Sequence, residues 1–277
     1  MSVGIPGSKC KEKLEELLEF KMPLTVFSAA NFKKHLRDLG LDTGDNIILH
    51  SRLISFGLVP GGAESVFEAL LDVVGETATI VVPTYTFYLS ETDVYDPDTT
   101  PSENMGVLSE YIRQLSNSVR SACPIHNHSC VGGMASELSL IEGNVSFGPG
   151  SDFDWMSKHE FKLVLLGCGF DVAGTQAFHS MTGFDVPYRK WLSLPRKRLG
   201  FDGKISQVMV QYYARDAGKH EDISIPKKLL ISRNQIKIVS APSGFSYAMS
   251  LEHFRNACDD LLYERPDVFL VRDKQVN

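Results

Sequence analysis

The hydrophobic residues of the chain fall into short continuous runs that alternate with amphipathic segments. Residues 46–50 (NIILH) and 79–83 (TIVVP) are apolar runs of strand length, and residues 63–74 between them place apolar side chains at helical spacing. Glycines bound this helix on both sides, which supports its predicted ends. A strand, a helix and a second strand in this order are typical of a βαβ unit, in which both strands lie parallel in one sheet.

The same alternation continues through the rest of the chain. We predict further helices at 11–20, 29–39 (capped by Ser28), 106–115, 134–140 and 251–263, and further strands at 162–166, 208–213 and 236–239. The last two strands are joined by a long polar connection, and no linker rich in Pro, Gly or Ser divides the chain. We therefore expect an α/β fold as a single domain, a layered α/β/α arrangement with a central, mostly parallel mixed sheet and an added antiparallel C-terminal portion. Residues 1–24 would form a helical N-terminal extension.

Composition and charge narrow the class of protein. The 277 residues are 43% hydrophobic and 22% charged, which is ordinary for a globular protein with a large core. The net charge of −6 argues against general nucleic-acid binding, which needs a concentrated basic surface. Five scattered cysteines without CxxC spacing predict reduced thiols. Since no signal peptide or long apolar run is found, we expect a cytoplasmic protein that does not bind membranes.

One segment departs from the acidic character of the chain. Residues 189–198 (RKWLSLPRKR) hold five cations. Their simplest interpretation is a solvated loop or helix face, and the alternative is a site for an anionic group of a ligand.

Candidate chemistry collects where the predicted parallel strands end. Ligands of α/β sheets bind in the loops that follow the carboxyl ends of the strands. His50, Ser51 and Arg52 follow the first strand, Thr84 and Tyr85 follow the second, and a glycine-rich segment leading to His179 follows the third. Residues 60–63 (PGGA) open a helix and could present backbone N–H groups to a phosphate, although such a pair of glycines is more often only a tight turn.

Two further stretches admit two interpretations each. His126 and His128 in residues 124–129 (PIHNHS) would point to the same face of a strand, as in a metal site completed by Asp171 or His179, but a polar loop or cleft wall is the simpler interpretation. Residues 95–105 (YDPDTTPSENM) carry acidic side chains, Asp96 among them, that are either a solvated turn or the partner of a cationic amine.

Taken in order, these motifs resemble the aminoglycoside 3-N-acetyltransferase family, whose fold is distinct from the GNAT fold. The similar segments are LHSRLISFGLVPGGAESVFEALLDVVG, VVPTYTF, YDPDTTPSENMGVLSEYIRQL, VRSACPIHNHSCVGG, FGPGSDFDWM, KLVLLGCGFDVAGTQAFH and VPYR. They span about residues 26 to 191, and the portion from about 200 to 277 is more divergent and matches only in outline.

The resemblance implies acetyl transfer from acetyl-CoA, without a metal, to an amine of an amino sugar or aminoglycoside-like acceptor, in antibiotic resistance or in biosynthesis. It implies that acetyl-CoA contacts His50, Ser51, Arg52, Gly61, Gly62, Ala63, Thr84, Tyr85, Met105 and Gly106. The acceptor would contact Asp96, His126, His128, Ser129 and Tyr188. An imidazole is suited to take a proton from the attacking amine, so His179 is the predicted general base and no covalent intermediate is needed. Cys123 and Cys130 as acetyl acceptors are a minor alternative.

The sequence departs from the family pattern in two places. Thr182 stands where a glutamate commonly follows the histidine, so Asp171, Asp185 or Thr182 itself would have to support His179. The PIHNHS stretch is also about two residues longer than the family pattern. Two alternative functions therefore stand beside the acetyltransferase: a metal-dependent hydrolase using His126, His128 and Asp171, and a non-catalytic CoA or nucleotide-sugar binding protein. A homodimer is compatible with the sequence.

Overall fold

The fold is described from a computed structural model that covers residues 25–200 and 202–271. The predicted helix at 11–20 and Cys10 lie outside this range. Eight helices are described: α1 (Ala29–Asp38), α2 (Gly62–Val74), α3 (Val107–Arg113), α4 (Ala135–Leu138), α5 (Asp152–Lys158), α6 (Gly174–Met181), α7 (Ile225–Ser232) and α8 (Leu251–Glu264). Ten strands accompany them: β1 (Asn46–Ser51), β2 (Ile80–Pro83), β3 (Val94–Tyr95), β4 (Val119–Arg120), β5 (His128–Val131), β6 (Phe161–Leu166), β7 (Arg189–Leu199), β8 (Ile205–Arg215), β9 (Lys237–Ala241) and β10 (Gly244–Ser250).

A mixed seven-stranded sheet forms the centre of the molecule. Its strand order is β4-β5-β2-β1-β6-β10-β9. Strand β1 pairs in parallel with β2 and with β6, whereas β5 and β10 flank these three in antiparallel orientation. The predicted α/β class is therefore confirmed, with the parallel strands at the centre and antiparallel strands outside them.

Each face of the sheet is covered by its own hydrophobic layer. Successive residues of a strand point to opposite faces, so Ile47 and Leu49 of β1 pack in a cluster with α1, α2 and α3. Ile48 packs on the other face, in a cluster with α5, α6 and α8. The two layers leave the ends of the strands, rather than their faces, to bind a ligand.

The 189–198 segment is a strand, and its interpretation as a loop or helix face was wrong. Strands β7 and β8 form an antiparallel hairpin in register from Arg189↔Arg215 to Leu199↔Ile205, and β3 completes a second, three-stranded sheet. The side chains of β7 are exposed or half-buried. Backbone pairing stabilises this ribbon, and its cations are exposed or half-buried, except that the Arg189 side chain is buried in an ion pair with Glu221. The hydrophobic alternation that reveals a half-buried strand is therefore missing.

The remaining differences from the sequence prediction are small. The polar connection between the last two predicted strands contains helix α7, and the predicted helix at 134–140 is only four residues long. Ser28 caps α1 as expected, in a capping box with Asn31. In the described part of the chain, no helix is long and apolar enough to cross a membrane.

Gly167 permits the sharp turn at the end of β6. Its φ is +69°, and a Cβ added there would lie 2.5 Å from the Phe56 ring and 3.1 Å from the Arg52 carbonyl oxygen. The chain can therefore pass close to the segment that follows β1 only if residue 167 has no side chain.

We expect Gly167→Ala to lower the free energy of unfolding by about 3 kcal/mol, because left-handed backbone strain and overpacking both act there. Gly150→Ala is the matched control, since Gly150 has a φ of +83° but no atom within 4 Å of an added Cβ. Gly150→Ala should lower the free energy of unfolding by only about 1 kcal/mol, because only the backbone strain acts there. Urea unfolding measures both values, and equal losses would contradict the steric account.

Candidate active site

The polar residues predicted to form a site do meet at one edge of the central sheet. Strands β1, β2 and β6 are parallel and end there. Strand β5 runs the opposite way beside β2, with Pro83 paired to His128, so β5 begins where β2 ends. Residues 126–128 therefore face the residues that follow β2.

A buried hydrogen-bond network holds these two segments together beyond the end of the strands. The backbone N–H of Thr84 donates to Asn127 O (3.0 Å), and that of Thr86 donates to Ile125 O (3.0 Å). The buried Arg120 guanidinium donates through Nε to Thr84 Oγ1 (3.1 Å) and Asn127 Oδ1 (2.8 Å). Because Thr84, Thr86 and Asn127 turn toward this network, the residues that alternate with them point to the opposite face.

Tyr85, His126 and His128 occupy that opposite face. The ring centroids of His126 and His128 lie 5.1 and 5.3 Å from that of Tyr85, in edge-on contact. His126 also contacts Phe147 at 4.3 Å. Burial lowers the pKa of His126 well below its ordinary value, and its Nδ1 has no hydrogen-bond partner within the described chain. The imidazole is therefore neutral at pH 7.

His128 forms a fully buried pair with Asp152, the first residue of α5. The Nδ1 atom of His128 lies 2.9 Å from Asp152 Oδ2, and the Ser121 hydroxyl donates to the same oxygen at 2.5 Å. On the other side of the ring, Nε2 lies 3.3 Å from the Tyr85 hydroxyl, which lies 3.3 Å from Thr175 Oγ1. A continuous set of hydrogen-bonding groups thus leads from Thr175 to Asp152.

This arrangement does not resemble a metal centre. Among residues 25–200 and 202–271, no group of three or more His, Cys, Asp or Glu side chains could hold a metal ion. His128 uses one ring nitrogen for Asp152. Of the two proposed third ligands, Asp171 is exposed on a one-turn helix and His179 accepts a hydrogen bond from Gly148 through its Nδ1. The metal-dependent hydrolase is therefore not supported.

His179 lies on α6 but packs into the protein interior. The backbone N–H of Gly148 donates to its Nδ1 (3.0 Å), and its ring stacks at 6.1 Å on Phe153. Burial, with a smaller effect of the nearby Arg255, lowers the pKa of His179 to about 4. It is neutral at pH 7, but its Nδ1 lone pair is already used in a hydrogen bond.

The three candidate partners of His179 lie elsewhere. The Thr182 hydroxyl donates to the backbone carbonyl of His179 (2.7 Å) rather than to its ring. Asp171 and Asp185 are exposed. No hydrogen bond or ion pair recorded within the described residues joins either carboxylate to His179, so its role as general base stays a prediction.

A cavity of about 380 Å³ opens beside the Tyr85 face. Its wall is largely aromatic, and Thr175 contributes a hydroxyl to it. The lining includes Phe87, His126, Phe147, Phe178 and Tyr212. Charged groups of both signs, Arg189, Arg215 and Asp216, complete the wall. Such a mixture of apolar surface and a few polar groups is typical of small-molecule sites.

The other predicted acceptor residues have structural contacts. The Asp96 carboxylate accepts hydrogen bonds from Asp98 N and Thr99 Oγ1, which closes a turn. Ser129 is buried and donates to Thr84 Oγ1 (3.3 Å). Tyr188 is buried in the core cluster, and burial raises its pKa. Of the predicted acceptor residues, only His126 lines the cavity.

The residues predicted to contact acetyl-CoA are grouped at the same sheet edge. Gly61, in left-handed conformation, and Gly62 begin the 13-residue helix α2. An added Cβ at Gly106 would lie 3.4 Å from the carbonyl oxygen of Ser51, at the end of β1. Arg52 is exposed. Met105 is half-buried against the core cluster.

The cysteines do not offer a nucleophile. Cys123, Cys130, Cys168 and Cys258 are free and buried. Burial raises the pKa of Cys123 and of Cys130 to about 12, so both are protonated thiols at pH 7. The alternative of an acetylated cysteine is therefore not supported.

Sequence reasoning missed the buried Arg120, the aromatic wall of the cavity and both neighbours of the Tyr85–His128 pair, Asp152 and Thr175. Asp152 reads as an ordinary acidic residue in the first turn of a helix capped by Ser151, and Thr175 reads as one small residue of α6. Only the contact with His128, 24 residues away in the chain, distinguishes Asp152. No local signal in the sequence could have found that contact.

Comparison with known proteins agrees with this architecture. A family model described as aminoglycoside 3-N-acetyltransferase matches residues 48–241. Aminoglycoside N(3)-acetyltransferase IX of Micromonospora chalcea is 30% identical over 183 residues, 59% of this chain and 65% of the relative. The aminoglycoside N(3')-acetyltransferase-like protein YokD of Bacillus subtilis is 32% identical over 179 residues, 56% of this chain and 64% of the relative. The matches thus span slightly less than two thirds of these relatives.

Solved structures share the fold at lower identity. The complex of AAC-IIIb with CoASH superposes with a TM-score of 0.77 at 18% identity and covers 87% of this chain and 97% of its own. AAC-VIa bound to sisomicin has the same TM-score at 20% identity and covers 87% of this chain and 99% of its own.

Burial of a neutral His179 predicts a pH-dependent stability. Its folded-state pKa, about 4, lies below the ordinary value of 6.5, so the unfolded chain binds the proton first. Stability from this group is present above pH 6.5 and is lost as the pH falls toward 4. Between pH 7 and pH 5 the loss is about 2 kcal/mol.

We expect His179→Gln to flatten the decline of unfolding free energy between pH 7 and pH 5 by about that amount, as measured by urea unfolding. His220→Gln, which removes an exposed imidazole, is the control. A slope unchanged in His179→Gln would show that this imidazole is not buried in its neutral form.

Proposed function

The chain belongs to the aminoglycoside 3-N-acetyltransferase family, and we propose that it transfers the acetyl group of acetyl-CoA to an amino group of an amino sugar or aminoglycoside-like acceptor. The observation that carries the proposal is the match over residues 48–241, because this span contains most of β1, all of β2 and β6, and the segments that follow these strands. The scattered free thiols support a reducing, cytoplasmic location.

The residues at the sheet edge fit acetyl-CoA. The N-terminus of α2 offers backbone N–H groups and the positive end of a helix dipole to a phosphate. Exposed Arg52 adds a cation near the same edge. When bound, acetyl-CoA supplies a thioester that an amine can attack. The chain's own task is to hold both substrates and to take a proton from the amine.

The aromatic cavity fits the acceptor. Stacked and edge-on rings offer apolar surface to the faces of a sugar ring, whereas the Thr175 hydroxyl, the Asp216 carboxylate and the Arg189 guanidinium offer polar partners. Arg189 is itself held by Glu221, with Nε 2.6 Å from one carboxylate oxygen. The wall therefore presents charges of both signs.

A histidine is the proposed proton acceptor. An amine with a pKa near 8 to 10 is mostly protonated at pH 7 and cannot attack until it loses a proton, which a neutral imidazole can take. His179 is the residue that the sequence pattern assigns to this role, and Asp171, Thr182 and Asp185 are its proposed supports. The site described above adds the buried His128–Asp152 pair.

The first test is an acceptor screen with the purified full chain. Aminoglycosides, nucleotide-linked amino sugars and simple amines are each offered with acetyl-CoA, and release of the CoA thiol is followed. We expect turnover with at least one amino sugar or aminoglycoside, and no loss of activity in a metal chelator. Acetyl-CoA binding without turnover of any acceptor would instead identify a non-catalytic binding protein.

A second test addresses the acetyl-CoA site. We expect Arg52→Gln to raise KM for acetyl-CoA by about tenfold with kcat unchanged, because one charge-assisted contact to a phosphate is worth about 1.5 kcal/mol. Arg233→Gln is the matched control, since Arg233 is an exposed arginine that pairs with Asp260 of α8. An unchanged KM in Arg52→Gln would remove Arg52 from the site.

A further inference from the structure

We infer that the proton acceptor of the acetyl transfer is His128, held by Asp152 and reached from the acceptor cavity through the hydroxyls of Tyr85 and Thr175. The inference rests on the proposed function and names the residues that carry out its proton transfer. It departs from the sequence hypothesis, which places the base at His179.

The hydrogen-bond partners of the His128 ring decide which of its nitrogens carries the hydrogen. Asp152 is buried, and its Oδ2 accepts from the Ser121 hydroxyl while it faces His128 Nδ1 at 2.9 Å. An ionised carboxylate can only accept hydrogen bonds, so Nδ1 carries the hydrogen in the neutral ring. The lone pair of His128 then lies on Nε2, the nitrogen directed at Tyr85.

Two hydroxyl groups form a path from Nε2 of His128 to the cavity. Tyr85 Oη lies 3.3 Å from Nε2 and 3.3 Å from Thr175 Oγ1, and Thr175 lines the cavity. Burial raises the pKa of Tyr85, so its hydroxyl keeps a proton. In the structure that proton is donated to Thr175 Oγ1, and a rotation of the hydroxyl directs it to Nε2 of His128. Each hydroxyl can accept a proton from the cavity side and give one to the next group inward.

His179 has poorer access to the cavity than His128. The Nδ1 lone pair of His179 is bound by the Gly148 N–H, and the ring faces Phe153 rather than the cavity. Its neighbour Phe178 lines the cavity instead, because consecutive residues of a helix are rotated by about 100° from each other. His179 therefore has no path to an acceptor that equals the path from His128.

The two histidines differ in their carboxylate partners. Within the described residues no hydrogen bond or ion pair is recorded between the His179 ring and a carboxylate, and Thr182 bonds the His179 carbonyl instead. The buried Asp152 carboxylate, in contrast, lies beside the His128 ring. The chain thus has a histidine–carboxylate pair, but on β5 and α5 rather than on α6.

The reaction balances with this path. The ammonium of the acceptor gives a proton through Thr175 and Tyr85 to Nε2 of His128, each hydroxyl passing on its own proton as it receives one. The neutral amine then attacks the thioester carbonyl carbon and forms the C–N bond. The C–S bond breaks, the sulfur leaves with its electron pair and takes the proton that His128 returns along the same path, and the nitrogen loses its second proton to solvent, which gives the amide and the CoA thiol.

The other titratable groups around the pair do not compete for this role. Burial, and second the proximity of His128, lowers the pKa of His50 to about 3. His126 stacks on Tyr212 and contacts Phe147 in the cavity wall. Neither imidazole faces a carboxylate in the described structure, so neither is oriented in the way that Asp152 orients His128.

The test uses the acceptor identified in the screen. We expect His128→Gln to lower kcat by about 10²- to 10⁴-fold, the usual effect of losing a general base, with KM for acetyl-CoA unchanged. Thr175→Val should also lower kcat, by about tenfold or more, whereas Thr175→Ser keeps the hydroxyl and should restore most of the kcat that Thr175→Val loses. Because Thr175 is only half-buried, this pair remains informative if His128→Gln fails to fold.

The positioning role of Asp152 has its own readout. The Asp152→Asn amide would donate to Nδ1 and move the ring hydrogen to Nε2, so long-range ¹H–¹⁵N spectra of the histidines should show a change of the His128 tautomer together with a fall in kcat. His35→Gln is the matched control, a buried histidine whose Nε2 lies 2.8 Å from Ser246 Oγ on β10, and it should retain both.

The outcomes separate the two proposals. If the wild-type chain releases no thiol with any acceptor, the proposed function fails. If the wild-type chain is active but both Thr175→Val and His128→Gln keep wild-type kcat, the inference is overturned. It is also overturned if Asp152→Asn leaves the His128 tautomer unchanged. Loss of kcat in His179→Gln with wild-type kcat in His128→Gln would likewise overturn it and place the base at His179.

Discussion

A single buried cation, the guanidinium of Arg120, fixes the geometry on which the rest of the site depends. It reaches Thr84 Oγ1 and Asn127 Oδ1 at once, and so ties the segment after β2 to the segment before β5. Removing a charge from water is costly, and here several hydrogen bonds to neutral oxygens offset that cost. Because the threonines and the asparagine turn toward Arg120, Tyr85 and the two histidines must turn to the opposite face, where His126 lines the cavity.

The central fold could be predicted because its signals are local. Apolar runs such as 46–50 and the glycine-bounded helix α2 are visible in any short window, and their order implies a parallel arrangement. Strand β7 could not be predicted, because it buries few apolar side chains and its stability comes from backbone pairing with β8. Hydrophobic periodicity reports burial, and a strand that buries little gives no such signal.

The location of the candidate site could be predicted, but the contacts between its side chains could not. Strand ends located His50 and Tyr85 at one edge of the sheet, since parallel strands share a direction. His128, on the antiparallel strand β5, stood out only by its spacing from His126. The partner of His128 lies on α5, and the direction of His179 depends on how α6 packs. Both depend on how elements that are distant in the sequence pack against each other. Sequence resemblance therefore transfers the chemistry of a family more readily than the residue that performs it.

The convergence of several element ends on one sheet edge has an evolutionary consequence. A proton acceptor there can be supplied by a helix on one side or by a strand on the other, because both kinds of element contribute side chains to the cavity wall. A lineage could acquire the second histidine–carboxylate pair before it loses the first, and pass through an enzyme with both. Residue-by-residue alignment would record such a replacement as a lost active site, although the reaction had continued without interruption.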